Sequence, residues 1–403
     1  MIPSLRKQFN ASFTPEKYQT FLRRVDELSG TQVQFRLSET PCFFPKSLLE
    51  RMAEDGKELI RQLVENPEYR KKSDEAVPVE FKVPNEPDHP MFVQVDFGLV
   101  RNAHGELQPK LVELQAFPSL YAYQGPLAET YLDVYGLRDS SQTSAEQLKY
   151  FLSGLRTDSY RELLRRAIVA DHDPESVILM EIDPAHQKTL PDFLLTEKML
   201  GVRTVDIADI KKEGSRLYYD RGGKRMPIRR IYNRTIVDEL ERKNIKLGFD
   251  WRDELDVEWA GHPNWYFRIS KFSIPYLKHE SVPKTWFLDR MPEIPTDLEN
   301  YALKPLYSFA GLGVVIAPKK EDIAAIPAEK RPYYILQERL HFEPVIETPF
   351  GGTKAEVRVM YVWLEELTAV LTIIRMGRGL MMGVDHNKNM AWVGASAGFY
   401  LDE

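Results

Sequence analysis

The sequence predicts a multi-domain α/β protein, and three observations lead to that fold class. The 403 residues are enough for two or three domains of about 100–200 residues each. Apolar residues recur at helical spacing near the N-terminus. From Ser176 onward a strand, a helix and a second strand follow one another, which is the order typical of a parallel sheet.

Composition and charge exclude several classes of protein. The chain has 54 Lys and Arg against 60 Asp and Glu, a net charge of −6, which argues against an electrostatic nucleic-acid binder. A single cysteine, Cys42, excludes an intramolecular disulfide and a multi-cysteine zinc site. The sequence has no membrane-spanning apolar run and its N-terminus has no signal-peptide core, so we expect a soluble, cytoplasmic protein with no membrane partner.

The first segment reads as helical. Thr14 is a good N-cap, Pro15 suits the first helical position, and an apolar stripe follows. A second stripe predicts a helix from Ser47 to Val64. Residues 66–90 are rich in Pro and charge and are predicted to be a connection. We therefore predict a helical N-terminal segment over residues 1–85.

A β-hairpin is predicted from two runs of β-branched and aromatic residues, Phe92–Val100 and Leu107–Phe117. His104 and Gly105 are taken as its two-residue loop. Period-two alternation then assigns one face to the core: Val93, Val95, Phe97, Val112, Leu114 and Ala116. Pro109 interrupts the second strand, so a bulge could shift this register.

The other face of the hairpin gathers polar side chains. Asp96 lies opposite Glu113 in the predicted register, and Gln94 lies opposite Gln115. Two opposed carboxylates repel unless a cation or a positive cluster lies between them. Hard oxygen ligands suit Mg²⁺, so we predict a metal site at Asp96, Glu113 and Gln115. The alternative is a hairpin whose polar face simply meets water.

The rest of the chain alternates helices and strands. Helical segments are predicted over about 124–169. Residues 177–207 read as strand, helix and strand, which predicts a small Rossmann-like unit with parallel strands. A second hairpin is predicted within 217–232, and short strands and helices continue from 262 to the end.

A phosphate-binding segment is predicted around Lys304. A short strand delivers this lysine, and a flexible loop with Ser308, Gly311 and Gly313 follows. Glycines allow backbone N–H groups to approach a polyphosphate closely, and the lysine supplies a point charge. The spacing is neither a Walker loop nor a dinucleotide fingerprint. A glycine-containing hairpin turn is the plain structural alternative.

A polar break follows the next predicted strand, at Gln337 and Glu338. Such a break exposes backbone groups that can read an adenine edge, and Leu340 is an apolar residue that could sandwich the ring. A strand end without a ligand has the same pattern.

Two arginines lie on apolar strands further along, Arg358 and Arg375. An arginine among apolar neighbours is costly unless it is paired, and an anionic phosphate or carboxylate would pair it. A structural pair with Asp or Glu is the alternative for each of them.

In their order along the chain, these segments resemble the ATP-grasp superfamily of carboxylate–amine ligases. Lys271 is similar to the family's first ATP lysine, Lys304 to the second, and Ser308–Gly313 to its flexible phosphate loop. The resemblance makes Gln337, Glu338 and Leu340 an adenine hinge and Glu343 a ribose-binding acid. Arg358 and Arg375 match the arginine strands of glutathione-synthetase-like members.

The predicted metal hairpin precedes the nucleotide segments, an order similar to the permuted glutathionylspermidine synthetases. Their pattern reads Arg-x-Asp, then Glu-x-Asn, then a substrate loop. In this chain Gln94 replaces the arginine and Gln115 replaces the asparagine. Ser119 falls in the substrate loop. Asn387 and Asn389 are second-ranked amide ligands, because no Glu precedes either of them by two residues.

The resemblance implies an α/β (α+β) fold with a two-subdomain ATP-grasp nucleotide clamp, a Rossmann-like pre-ATP-grasp domain and the helical N-terminal segment. The metal hairpin and its helices would occupy residues 86–170 and belong to the ATP-grasp core. The Rossmann-like substrate domain would occupy 171–260, and the nucleotide-binding subdomains 261–403.

The implied function is an ATP- and Mg²⁺-dependent carboxylate–amine ligase that forms an amide or peptide bond through an acyl phosphate. ATP and Mg²⁺ would be its cofactors, and a small-molecule or peptide carboxylate and an amine its substrates. Arg358 and Arg375 would be catalytic, while Ser119 and Arg234 would face the substrate. Two alternatives are an inactive nucleotide-binding regulatory or scaffold protein of the same fold, and a sugar or peptide binder without nucleotide affinity.

Overall fold

A computed structural model describes residues 1–138, 147–307 and 312–402, and it has the mixed α/β architecture predicted. Its helices are α1 (Pro3–Ser12), α2 (Pro15–Ser29), α3 (Lys46–Val64), α4 (Pro67–Ser73), α5 (Gln124–Val134), α6 (Thr157–Ile168), α7 (Leu190–Leu200), α8 (Val237–Lys243), α9 (Asn264–Arg268), α10 (Lys320–Ala324) and α11 (Val384–Asn387). The first nine strands are β1 (Cys42–Phe43), β2 (Phe92–Arg101), β3 (Leu107–Gln115), β4 (Val177–Glu181), β5 (Arg203–Asp206), β6 (Lys211–Glu213), β7 (Arg216–Arg221), β8 (Lys224–Ile228) and β9 (Arg230–Asn233). The remaining strands are β10 (Glu258–Ala260), β11 (Thr285–Phe287), β12 (Tyr301–Pro305), β13 (Val315–Ile316), β14 (Tyr334–Glu338), β15 (Ile346–Thr348), β16 (Gly351–Trp363), β17 (Leu367–Gly377) and β18 (Gly394–Phe399).

The largest sheet joins strands from distant parts of the chain. Its order is β1-β18-β17-β16-β2-β3, with β15 also paired to β16. Every pairing in it is antiparallel except β1 with β18. The predicted hairpin β2–β3 therefore lies directly beside β16, which carries Arg358. We call this the central sheet.

Helix α3 covers one face of the central sheet, and its apolar stripe packs against inward-facing residues of β2 and β16. Gly56 marks the closest approach: a Cβ at this position would lie 2.0 Å from the hydroxyl oxygen of Tyr361. The Tyr361 hydroxyl is fully buried and donates to the Ala53 carbonyl at 2.9 Å. The α3–β16 contact thus requires the absence of a side chain at position 56.

A second sheet is parallel throughout, as the strand–helix–strand order predicted. Its order is β10-β9-β4-β5, and α7 connects β4 to β5. The antiparallel sheet β6-β7-β8 packs beside it in a shared apolar core. The carboxyl ends of β4 and β9 meet at one edge of the parallel sheet, which is the edge where α/β proteins bind ligands.

A further sheet, which carries Lys304, is small and antiparallel, in the order β11-β14-β12-β13. Phe287, Leu306 and Ile335, which lie on or next to its strands, enter the same apolar core as α3 and the central sheet. This packing brings Lys304 on β12 towards the polar face of β2–β3. The domain boundaries inferred from sequence stay a prediction.

The hairpin differs from the prediction in its turn. The strands end at Arg101 and resume at Leu107, so the loop has five residues and not two. The pairing next to the turn is shifted by one residue, and a bulge at Val112 restores the predicted pairing of Asp96 with Glu113. The bulge moves Leu111 into the core in place of Val112, which is only half-buried.

Other local assignments also differ. Helix α1 was not predicted, and α4 lies inside the segment predicted to be a connection. Thr14 caps α2 as expected, accepting from the Lys17 N–H at 3.3 Å. In the described part of the chain, no helix is both long and apolar enough to cross a membrane.

The close approach at Gly56 yields a stability prediction. Gly56→Ala should lower the free energy of unfolding by about 1–3 kcal/mol, because the added methyl group overpacks a fully buried tyrosine. The expected loss of stability is opposite to the effect of helix propensity, which favours Ala over Gly by about 1 kcal/mol. Urea denaturation measures the difference, with the exposed change Glu54→Ala as control. A stabilised Gly56→Ala protein would contradict the α3–β16 packing.

Candidate functional site

A buried ion pair lies at the centre of the polar face of the hairpin. Arg358 on β16 is the cross-strand partner of Asp96 on β2. Its Nε lies 2.5 Å from Asp96 Oδ1 and its Nη2 2.6 Å from Oδ2. This is the bidentate geometry in which arginine binds a carboxylate most strongly. The positive group that two opposed carboxylates require is thus supplied by the protein itself.

The two predicted glutamines complete the surroundings of this guanidinium. Gln94 Oε1 accepts from Arg358 Nη1 at 3.0 Å. With the Gln115 amide turned so that its oxygen faces Arg358, that oxygen lies 2.9 Å from Nη1 and 3.2 Å from Nη2. Position 94 thus contributes an amide, and the guanidinium beside Asp96 comes from the neighbouring strand β16.

Arg375 adds a second guanidinium from β17. It donates to Asp96 and lies 2.5 Å from Glu356, its cross-strand partner on β16. Sequence reasoning gave Glu356 no role. The available signal was its position two residues before Arg358, which puts both side chains on one face of the strand. Burial raises the pKa of Glu356 above its ordinary value.

The charges around Asp96 keep it ionised. Burial by itself would raise the pKa of this carboxyl, but Arg358 and Arg375 outweigh that effect and hold the pKa below its ordinary value. The same balance applies to Glu113, where Lys271 is the largest of the opposing charges. Both carboxylates are therefore charged at neutral pH.

Two lysines reach this face from outside the central sheet. Lys271, which follows α9, has its Nζ 3.5 Å from Glu113 Oε2. Lys304 Nζ donates to Gln337 Oε1 at 2.5 Å and to the carbonyl of Val112 at 3.3 Å, so the bulge that restores the register also provides an acceptor. Burial lowers the pKa of Lys304 to about 8.

Four basic side chains and three carboxylates therefore converge between the central sheet and the small antiparallel sheet. We call the basic side chains the basic cluster: Lys271, Lys304, Arg358 and Arg375. We call the carboxylates the acidic trio: Asp96, Glu113 and Glu356. The basic cluster outnumbers the acidic trio, and all of these groups are buried except Arg375 and Glu113, whose side chains are 22% and 26% exposed. The arrangement favours an anionic ligand.

The predicted magnesium ligands do not fit that ion in this arrangement. Both oxygens of Asp96 accept from guanidinium groups, and the Gln115 amide faces Arg358. Glu113 keeps the most open oxygens, but Lys271 and Arg358 lie 3.5 and 3.9 Å from them. A divalent cation at Glu113 would repel these neighbours. Among the described residues, no group of three or more His, Cys, Asp or Glu side chains could hold a metal.

The predicted nucleotide residues are brought together only in part. Gln337 lies against Lys304, and Glu338 and Leu340 follow it, half-buried. Glu343 forms an ion pair with Arg101 at 2.9 Å, at the far end of β2 from Asp96, so it is not joined to the basic cluster. Gly313 lies in an exposed turn, while Ser308 and Gly311 fall outside the described residues.

The second-ranked amide ligands are not joined to the site either. The Asn387 side chain is buried and accepts from the N–H groups of Arg378 and Gly379, so it holds its own loop together. Asn389 is exposed.

A second polar site lies at the carboxyl end of the parallel sheet. Arg234, directly after β9, is 2% exposed, and its Nε and Nη1 have no hydrogen-bond partner among the described residues. Its guanidinium carbon lies 5.0 Å from the ring centre of Phe117 and 5.5 Å from that of Phe193. A buried guanidinium with unused N–H groups is suited to an anionic substrate group.

Two acidic residues missed from sequence belong to this second site. Glu181 ends β4, and burial raises its pKa to about 8. The Asp192 carboxylate accepts from the N–H groups of Leu120, Ala122 and Tyr123, so it holds the loop that contains Ser119. The Ser119 carbonyl accepts from Gln94 Nε2 at 2.7 Å, which links this loop to the basic cluster. Glu181 could have been found from its place at the end of a predicted parallel strand.

The ion pair yields a prediction with a defined pH dependence. Asp96→Asn should lower the free energy of unfolding by about 3–5 kcal/mol at pH 7, because two guanidinium groups lose a buried counter-charge. A carboxyl with a lowered folded-state pKa stabilises the fold above its unfolded value of about 3.9 and loses this effect in acid. The gap between wild type and variant should therefore narrow below about pH 4.

Urea denaturation at pH 7 and in acid measures this gap. The control is Asp385→Asn, which removes an exposed pair with Lys188. If both substitutions lowered the free energy of unfolding by the same small amount at pH 7, the stabilising role assigned to Asp96 would be contradicted.

Comparisons with known proteins bear on the fold. Neither the protein-family profiles nor the curated proteins that were compared match the chain. Among solved structures, it is similar to a glutathione synthetase-like effector from Globodera pallida in its apo form, with a TM-score of 0.57 and 11% sequence identity. The similarity covers 96% of this chain and 99% of the other. The chain thus has a glutathione synthetase-like α/β fold.

Proposed function

We propose that the protein is an ATP-dependent carboxylate–amine ligase of the ATP-grasp type. The observation that carries the proposal is the convergence of the basic cluster, from two sheets and from the segment after α9, on one face of the β2–β3 hairpin. Such a cluster can neutralise the oxygens of a polyphosphate. The glutathione synthetase-like fold supports the same reaction class.

The nucleotide would bind with its phosphates at the basic cluster. Lys304 projects from β12 and contacts Gln337 near the end of β14, so a nucleotide whose phosphates meet Lys304 would have its base near Gln337, Glu338 and Leu340. Lys271 lies 3.5 Å from Glu113 on the same polar face. In this proposal the two lysines bind phosphate oxygens, and the polar break after β14 accommodates the adenine.

The reaction would proceed in two displacements. A substrate carboxylate oxygen attacks the γ-phosphorus, the bond to the β,γ-bridging oxygen breaks, and ADP leaves with the electron pair. The resulting acyl phosphate is attacked at its carbonyl carbon by an amine, which loses a proton as inorganic phosphate departs. Both steps depend on positioning and charge neutralisation more than on a nucleophilic side chain.

Arg234 and the loop of Ser119 would orient the substrate. The unused N–H groups of Arg234 suit a carboxylate, and Gln94 ties the Ser119 backbone to the basic cluster. A substrate that spans both places would present one end to Arg234 and the other to the phosphates. Arg358 and Arg375 would stabilise the charge on the transferred phosphoryl group.

A second candidate is a nucleotide-binding protein of the same fold without ligase activity. The observation that favours it is the full engagement of Arg358 by Asp96 and the two glutamines. A guanidinium with all these partners must give up contacts before it can bind a reacting group. This candidate shares the nucleotide site and differs only in turnover.

Nucleotide binding tests the shared part of both candidates. A thermal-melt titration with a non-hydrolysable ATP analogue and Mg²⁺ should stabilise wild type by about 2.7 kcal/mol at 100 times the dissociation constant. Lys304→Gln should lose this shift, because a buried phosphate-binding charge is removed. The matched control is Lys320→Gln on the exposed start of α10. No shift for wild type at millimolar nucleotide would contradict the proposal.

Turnover separates the two candidates. Wild type should release ADP only when a carboxylate and an amine are supplied together, and Arg234→Gln should raise the carboxylate KM more than it lowers kcat. A screen of amino-acid and peptide acids with simple amines measures ADP release. Tight analogue binding with no ADP release for any pair would favour the inactive nucleotide binder.

A further inference from the structure

The predicted metal ligands and the groups suited to an anion lie on the same face of the hairpin. A divalent cation held by protein needs free carboxylate oxygens, and magnesium usually takes one or two carboxylates together with substrate phosphates. The acidic trio offers few such oxygens, because Asp96 receives three charge-assisted contacts from guanidinium groups. Glu356 is paired with Arg375 in the same way.

The charge balance of the site also disfavours a metal ion and favours an anion. Three carboxylates face four basic groups, so the site carries an excess of positive charge before any ligand enters. A divalent cation would increase that excess, while a polyphosphate would reduce it. Because these groups are largely buried, the interaction is screened little by solvent or salt.

The effect of Glu113 on ligand binding distinguishes a metal-binding site from a site that binds a free polyphosphate. As a metal ligand it would strengthen the binding of a nucleotide–metal complex. As an anionic neighbour of Lys271 it would weaken the binding of a free polyphosphate by repulsion. Its side chain is 26% exposed, and its nearest basic partner, Lys271, lies at 3.5 Å. Arg358 keeps its bidentate pair with Asp96 when the charge of Glu113 is removed.

We infer that a polyphosphate ligand is held in this site by the basic cluster itself, without a divalent cation ligated by the protein. This inference rests on the proposed function and makes it more specific, since the ligand recognised would be the metal-free polyanion. Charge neutralisation that a metal ion would provide comes here from Lys271, Lys304 and the two arginines. Arg358 occupies the position between Asp96 and Glu113 where a cation would otherwise lie.

Isothermal titration of the full-length protein with a non-hydrolysable ATP analogue and with inorganic tripolyphosphate tests the inference. Each ligand is titrated in excess EDTA and in excess Mg²⁺ at matched ionic strength. For each ligand, the dissociation constant in EDTA should be no more than about threefold higher than the dissociation constant in Mg²⁺. Glu113→Gln should strengthen binding in EDTA by about three- to tenfold, because it removes a repelling charge.

Glu366→Gln is the matched control, since it also removes one negative charge but lies in the exposed turn between β16 and β17. It should leave the affinities unchanged, and thermal melts confirm that both variants fold. Binding that requires Mg²⁺ and falls at least about tenfold in Glu113→Gln would overturn the inference and leave the ATP site intact.

Two further outcomes bear on both this inference and the proposed function. Tripolyphosphate binding in EDTA without analogue binding in either condition would support the inference and contradict an ATP-dependent function. Absence of binding for both ligands in both conditions would overturn the inference and the proposed function together.

Discussion

The bidentate ion pair between Asp96 and Arg358 is the interaction on which the site depends. It joins residues 262 positions apart and fixes β2 beside β16 at the middle of the central sheet. A buried charge is costly unless it is paired, so each member requires the other. Arg375, Gln94 and Gln115 are arranged around this pair and use its remaining donors and acceptors.

The surrounding fold supports this pair through close packing and one irregularity. Gly56 lets α3 approach the covered face of β16. The bulge at Val112 restores the pairing of Asp96 with Glu113 and presents a carbonyl to Lys304. Bulges of this kind re-aim side chains next to functional sites. The same residue therefore links the register of the hairpin to the position of a candidate phosphate-binding lysine.

The two polar sites are joined by one loop. Asp192 holds the backbone that follows Ser119, and Gln94 holds the Ser119 carbonyl beside the basic cluster. Arg234 lies against Phe117, at the carboxyl end of the parallel sheet, and two of its N–H groups have no hydrogen-bond partner in the described part of the chain. A ligase that transfers a phosphoryl group to a bound carboxylate needs two sites connected in this manner, which is why the geometry and the glutathione synthetase-like fold support the same proposal.

Sequence patterns alone predict the local elements and the shared face of the hairpin. Helical spacing and a Thr14 cap define α2, and period-two alternation puts Asp96 and Glu113 on one side. These patterns do not reveal what lies between those carboxylates, because the neighbour of β2 is a strand from the far end of the chain. Glu356 and Asp192 likewise have partners that are distant in sequence. That an arginine occupies the predicted cation position is visible only in the folded chain, because strand order and long-range pairing leave no periodic signal in a single sequence.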